Sequence, residues 1–122
     1  MKTGFALIFV GITTMYGVVG CGSEQKDYCD KKVSCEGGND KDKAACASEA
    51  EAAEDSAEDY GCGDQFGKLL DCVNSNSSCQ GSSTKTYTTY DLTTGVNKCQ
   101  SQVTALDACV RAASGRNSPY VH

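Results

Sequence analysis

Beyond residue 21 the chain carries eight cysteines, Cys29, Cys35, Cys46, Cys62, Cys72, Cys79, Cys99 and Cys109, and very little else from which to build a core. Over the same stretch Leu, Ile, Val and Phe are represented only by Val33, Phe66, Leu69, Leu70, Val73, Leu92, Val96, Val103, Leu106, Val110 and Val121. So thin an apolar set, taken alone, describes a disordered chain. An even number of cysteines in a short chain reverses that expectation, because a disulfide framework restricts the unfolded state by about 2 to 4 kcal/mol per bridge and so replaces part of the missing core.

The first twenty residues are of another kind. Lys2 supplies a small positive end, Phe5 to Val10 begins an apolar run, and Thr13 and Thr14 interrupt it. The run is short for a membrane span and reads as an export signal. It ends in Val18-Val19-Gly20-Cys21, which resembles the lipobox of bacterial lipoprotein precursors. That resemblance implies a diacylglycerol on the Cys21 thiol, cleavage before Cys21 and anchoring of the mature chain to a membrane through its first residue. Lipidation of Cys21 also accounts for the ninth, odd cysteine. Gly22 stands where inner-membrane lipoproteins of that kind carry aspartate, which implies the outer membrane. The competing reading is an ordinary secretory peptide, since Val18 and Gly20 also suit a general signal peptidase, and a soluble secreted product.

Four helices are expected. Ser23 or Gly22 can cap a short first helix carrying Tyr28, Cys29 and Val33, which Gly37-Gly38-Asn39 breaks. Asn39 or Asp40 can cap a second from about Lys41 to Tyr60, with Cys46, Ala50, Ala53 and Ala57 at helical spacing and Gly61 as a stop. A third is expected from about Gly63 to Asn74. The fourth, about Val96 to Ala113, carries the clearest stripe: Val96, Cys99, Val103, Leu106 and Val110. The fold class is thus all-α, a small disulfide-stapled domain of two α-hairpins over residues 27–113. A lipidated start and tether would occupy 21–26, a polar loop 75–95 and a tail 114–122.

Nine residues separate Cys62 from Cys72, and nine separate Cys99 from Cys109. Ten steps rise about 15 Å along a helix, so an antiparallel pair can bring Cys62 to Cys109 and Cys72 to Cys99, with Phe66, Leu69, Val73, Val103 and Leu106 between. This spacing resembles the twin-CX9C α-hairpin of mitochondrial coiled-coil-helix-coiled-coil-helix proteins, over Cys62 to Cys109 only and in geometry alone. A faint duplication adds to it: Cys29, Cys35 and Cys46 echo Cys72, Cys79 and Cys99 as helix, loop and returning-helix cysteines. The set Cys29, Cys35, Cys46 and Cys79 leaves three pairings open.

Chemistry is scarce. After removal of Lys2 the chain holds ten basic and sixteen acidic residues, a poor partner for nucleic acid. No CxxC occurs, and the only histidine is His122, so redox, zinc and Ser/His/Asp chemistry have no support; no catalytic residue, metal or cofactor is expected. Asn39, Asp40 and Asp42 read as helix caps rather than a calcium loop. The acidic run Glu49 to Asp59 reads as a solvated helix face. The candidate binding residues are Tyr87 and Tyr90, amphipathic side chains in the 81–95 segment, which is too long for a simple helix connection. Replacing that segment by a short linker is expected to change stability little. The expected function is that of a non-catalytic, lipid-anchored envelope protein, an interaction or structural module with an unknown protein or envelope ligand. The alternative is a soluble secreted effector or inhibitor.

Overall fold

The structure, a computed structural model, describes residues 23–115. Cys21, the leader and residues 116–122 lie outside them, while Ser114, read as the start of the tail, ends the last helix. Four helices form in chain order, α1 (Ser23–Glu36), α2 (Asp40–Asp59), α3 (Gly63–Asn76) and α4 (Gln100–Ser114), with two short strands, β1 (Ser78–Gln80) and β2 (Thr86–Thr88), between α3 and α4. The domain is mostly helical, and four disulfides join its elements.

The start of α2 is set locally. The Asn39 side chain accepts from the Lys41 amide at 2.8 Å, and Asp42 accepts from the Asn39 amide at 2.8 Å, a reciprocal cap that satisfies amides the helix cannot pair itself. Asn39, Asp40 and Asp42 therefore serve the helix terminus. At the other end Tyr60 closes the helix, and Gly61 adopts φ +72, a left-handed conformation that favours glycine. The Gly61 amide donates to Glu58 and the Cys62 amide to Ala57, both at 2.8 Å, so the chain reverses tightly and delivers Cys62 into the interior.

α1 pairs with α2 and α3 with α4. Cys62–Cys109 and Cys72–Cys99 staple the second pair at both ends, the pairings the nine-residue spacing predicts, with α-carbons 6.0 and 5.9 Å apart. Cys29–Cys46 staples the first pair. Cys35–Cys79 ties the last turn of α1 to β1. Of the three open pairings the fold selects the one that joins the two echoed positions, Cys35 and Cys79, to each other. Cys35 lies within α1 and Cys79 on a strand, so neither is a loop cysteine.

The core is small. Ala57, Cys62, Leu106 and Val110 form its buried cluster, with Phe66, Leu69 and Cys109 packed against it. Cys29 and Val33 are buried on α1, Leu70 on α3, and Cys99 at the start of α4. Leu70 lies off the predicted seam yet is buried. Gln25 is the buried polar residue, and its side-chain amide donates to Glu54 across the first helix pair.

Three boundaries differ from the sequence expectation. α1 already begins at Ser23, inside the stretch read as a tether, so 23–26 belong to the helix. α4 begins at Gln100 rather than Val96, because Asn97 turns its side chain to accept from the Cys99 amide at 2.9 Å and residues 90–97 are held in a turn of their own. The segment read as a polar loop over 75–95 is ordered: α3 continues to Asn76, and β1 pairs antiparallel with β2 in the register Ser78–Thr88, Cys79–Tyr87, Gln80–Thr86.

With so few buried side chains the disulfides carry the stability. Val110→Ala, at a fully buried site, is expected to cost about 2 kcal/mol and leave the domain folded. Reduction of the four bridges is expected to abolish the helical circular dichroism altogether, and retention of most of the signal in reductant would contradict this account.

Candidate functional site

The candidate site is the chain between α3 and α4. Its first part is structural. Cys79 is bonded to Cys35, and opposite Cys79 in the ladder Tyr87 packs its ring against Tyr28 of α1, centroids 5.9 Å apart and planes tilted by 51°. The Tyr87 amide faces a Glu36 carboxylate oxygen at 3.4 Å. Burial, foremost, raises the Tyr28 phenol above its ordinary pKa, and the hydrogen bond from Lys32 is the main cause that lowers the Glu36 carboxyl. Tyr87 is thus half-buried on α1 rather than presented to solvent. The expectation that 81–95 can be cut away at little cost does not fit these contacts.

Its second part, residues 89–98, is a separate turn held by polar groups. Tyr90 and Asn97 form an antiparallel bridge, the Lys98 amide donates to Thr89 at 3.2 Å and the Asp91 amide to Val96 at 3.0 Å. Inside the turn, Asp91 accepts from the Thr93 and Thr94 amides at 2.8 and 3.1 Å, and the Gly95 amide donates back to the Asp91 carbonyl at 2.7 Å. Gly95 takes φ +70, which closes the loop onto Val96. From outside, the Gln80 side chain grips the main chain on both sides of Asp91, donating to the Tyr90 carbonyl at 2.8 Å and accepting from the Leu92 amide at 3.2 Å.

This ordered turn exposes apolar side chains: Tyr90 is 48%, Leu92 61% and Val96 58% accessible. In a chain with so few large apolar residues, placing three on one solvent-facing turn is the most distinctive surface feature of the described residues. The two candidate tyrosines therefore part company, Tyr87 against α1 and Tyr90 on the turn. Leu92 and Val96 were not singled out from sequence for binding, and Val96 was read into a helix stripe. The signal that marks them is Asp91-Leu92-Thr93-Thr94-Gly95, an aspartate able to cap the next amides followed by a glycine.

Elsewhere the surface offers shallow grooves between helices. One of about 510 Å³ beside α1 and α2 is lined by Lys26, Asp30, Asp40, Lys43 and Glu51, where Lys43 lies 3.8 Å from Asp30 and 3.6 Å from Asp40. Such exposed pairs of opposite sign are weak and answer to one another rather than to a ligand. Among the described residues no group of three His, Cys, Asp or Glu side chains is placed to hold a metal ion, and no helix is long and apolar enough to cross a membrane. Comparison with known protein families, curated proteins and solved structures finds no match to this chain.

Tyr87→Ala is expected to lower stability by about 1 to 2 kcal/mol through loss of the Tyr28 contact, while Leu92→Ala stays within about 0.5 kcal/mol of the parent, as thermal melts will show. The Thr93 and Thr94 amides hold the Asp91 carboxyl below its ordinary pKa. Because its folded pKa is depressed, the support it lends the turn is complete above the unfolded value, about 3.9, and is lost as pH falls through the lower folded value. The Thr93 and Thr94 amide resonances are expected to titrate below about pH 3.9 and to lose that titration in Asp91→Ala.

Proposed function

We propose that this is a non-catalytic protein of the bacterial cell envelope, lipid-anchored at Cys21, whose stapled helical domain presents the Tyr90–Val96 turn as a contact surface. The observation that carries the reading is that turn. Three large apolar side chains stand in solvent on a backbone fixed by Gln80, Asp91 and Asn97, and ordered apolar exposure of this kind marks a contact site. Rigidity favours contact, because little conformational entropy remains to be lost on binding.

The anchor rests on the lipobox-like Val18-Val19-Gly20-Cys21, on the odd ninth cysteine and on the pairing of all eight others. The implied location is the outer membrane, with Gly22 after the cysteine.

Intact-mass measurement of the mature protein tests this. It is expected to begin at Cys21 and to carry acyl chains, two or more of which are needed for stable anchoring at about 0.8 kcal/mol per buried methylene. Cys21→Ala is expected to trap the precursor or release soluble protein. An unmodified N-terminus on the wild type would instead favour the soluble secreted effector or inhibitor.

A further inference from the structure

The four bridges are not equally protected. Three of them contain one cysteine closed to solvent: Cys29, Cys62 and Cys99 are each at most 1% accessible. The fourth, Cys35–Cys79, contains none. Cys35 is half-buried in the last turn of α1, and Cys79 is exposed on β1. A thiol breaks a disulfide only by reaching one of the two bonded sulfurs, so accessibility decides which bridge opens first.

The mechanical setting of this bridge differs as well. Cys29–Cys46, Cys62–Cys109 and Cys72–Cys99 each lie within a helix pair that also packs along its length. Cys35–Cys79 instead joins α1 to a strand of three residues in a sheet of two strands. Beside the bridge, that hairpin meets α1 through the Tyr87 ring on Tyr28 and the Tyr87 amide near Glu36. An isolated two-stranded hairpin is marginally stable at best in water. Gln80, next to Cys79 in the chain, is the residue that grips the main chain on both sides of Asp91. Opening this one bridge therefore frees the hairpin and withdraws the outer grip on the apolar turn, while each helix pair keeps its own staples.

We propose that Cys35–Cys79 is a site of thiol–disulfide exchange, opened by an external dithiol reductant to loosen the Tyr90–Val96 turn. The bridge is the substrate of this exchange and not its catalyst, since the chain has no CxxC. A reductant thiolate attacks the exposed Cys79 sulfur, the S–S bond breaks, and Cys35 leaves as a thiolate that takes up the proton the reductant lost. The second reductant thiol then displaces Cys79 from the mixed disulfide and its proton passes to Cys79. The protein gains two thiols, and the reductant is oxidised to its own disulfide. The exchange does not depend on the anchor at Cys21; only its consequence for contact rests on the turn being the contact surface.

The mature full-length protein, with any free thiol blocked beforehand, is treated with dithiothreitol at neutral pH without denaturant, and samples taken over time are alkylated and peptide-mapped. Cys35–Cys79 is expected to open about tenfold or more faster than any other bridge, giving a species newly alkylated at Cys35 and Cys79 alone. That species is expected to keep most of its helical circular dichroism while its Thr93 and Thr94 amide resonances move. The double variant Cys35→Ser, Cys79→Ser is expected to show the same moved resonances, and the reduced wild type carries the test by itself should the variant misfold. Another bridge opening first, or all four opening together, overturns the exchange site. Opening at Cys35–Cys79 with unmoved Thr93 and Thr94 resonances overturns its control of the turn.

Discussion

The paired bridges at the two ends of α3 and α4 are the constraint on which the rest of this structure depends. Cys62–Cys109 and Cys72–Cys99 fix two helices in antiparallel register with equal spacing on each, so Leu106 and Val110 are held against Phe66 and Leu69 without a large apolar interface to hold them. Cys62 is itself part of the buried cluster, along with Ala57 from the end of α2. The tight reversal at Gly61 carries the chain from that alanine to that cysteine in five residues. A local backbone device thus joins the first helix pair to the second at the one place where a core exists.

The other attachments are lighter. α2 is polar on nearly every face and contributes only Ala57 to the buried set, so a helix of this kind survives by its caps and by what it is bonded to. Cys29–Cys46 holds it to α1, and the Gln25 to Glu54 hydrogen bond closes the far end of that pair. α1 is then held to the second half of the molecule by Cys35–Cys79, by the Tyr28–Tyr87 contact and by Asn74. Each bridge joins elements that bury too little surface to stay together alone.

The exposed turn is shaped by different forces, though Gln80 beside Cys79 and Asn97 beside Cys99 attach it to the bridged elements. Its shape comes from the side chains of Gln80, Asp91, Thr89 and Asn97 bonded to one another or to neighbouring main chain, and not from packing. A surface built that way can leave Tyr90, Leu92 and Val96 in solvent without weakening the core. Substitution of these exposed apolar residues is therefore expected to change stability little.

The helices, their caps at Asn39 and Gly61 and the double staple of α3 and α4 were legible in the sequence, because each follows from a local rule of spacing or capping. Helix periodicity needs no knowledge of what a helix touches, and a ten-residue interval is the same length wherever the helix lies. The remainder depended on non-local pairing. Cys35 has no local reason to choose Cys79 over its other partners, and that bond exists because β1 crosses the end of α1. Tyr87 and Tyr90 look alike in a threonine-rich segment, and only the strand register turns one onto Tyr28 and leaves the other outside. Val96 continues the stripe of α4 by spacing, yet the competing hydrogen bonds of Asp91 and Asn97 remove it from the helix. Periodicity states which residues could share a face, and the tertiary structure alone decides which backbone groups already have a better partner.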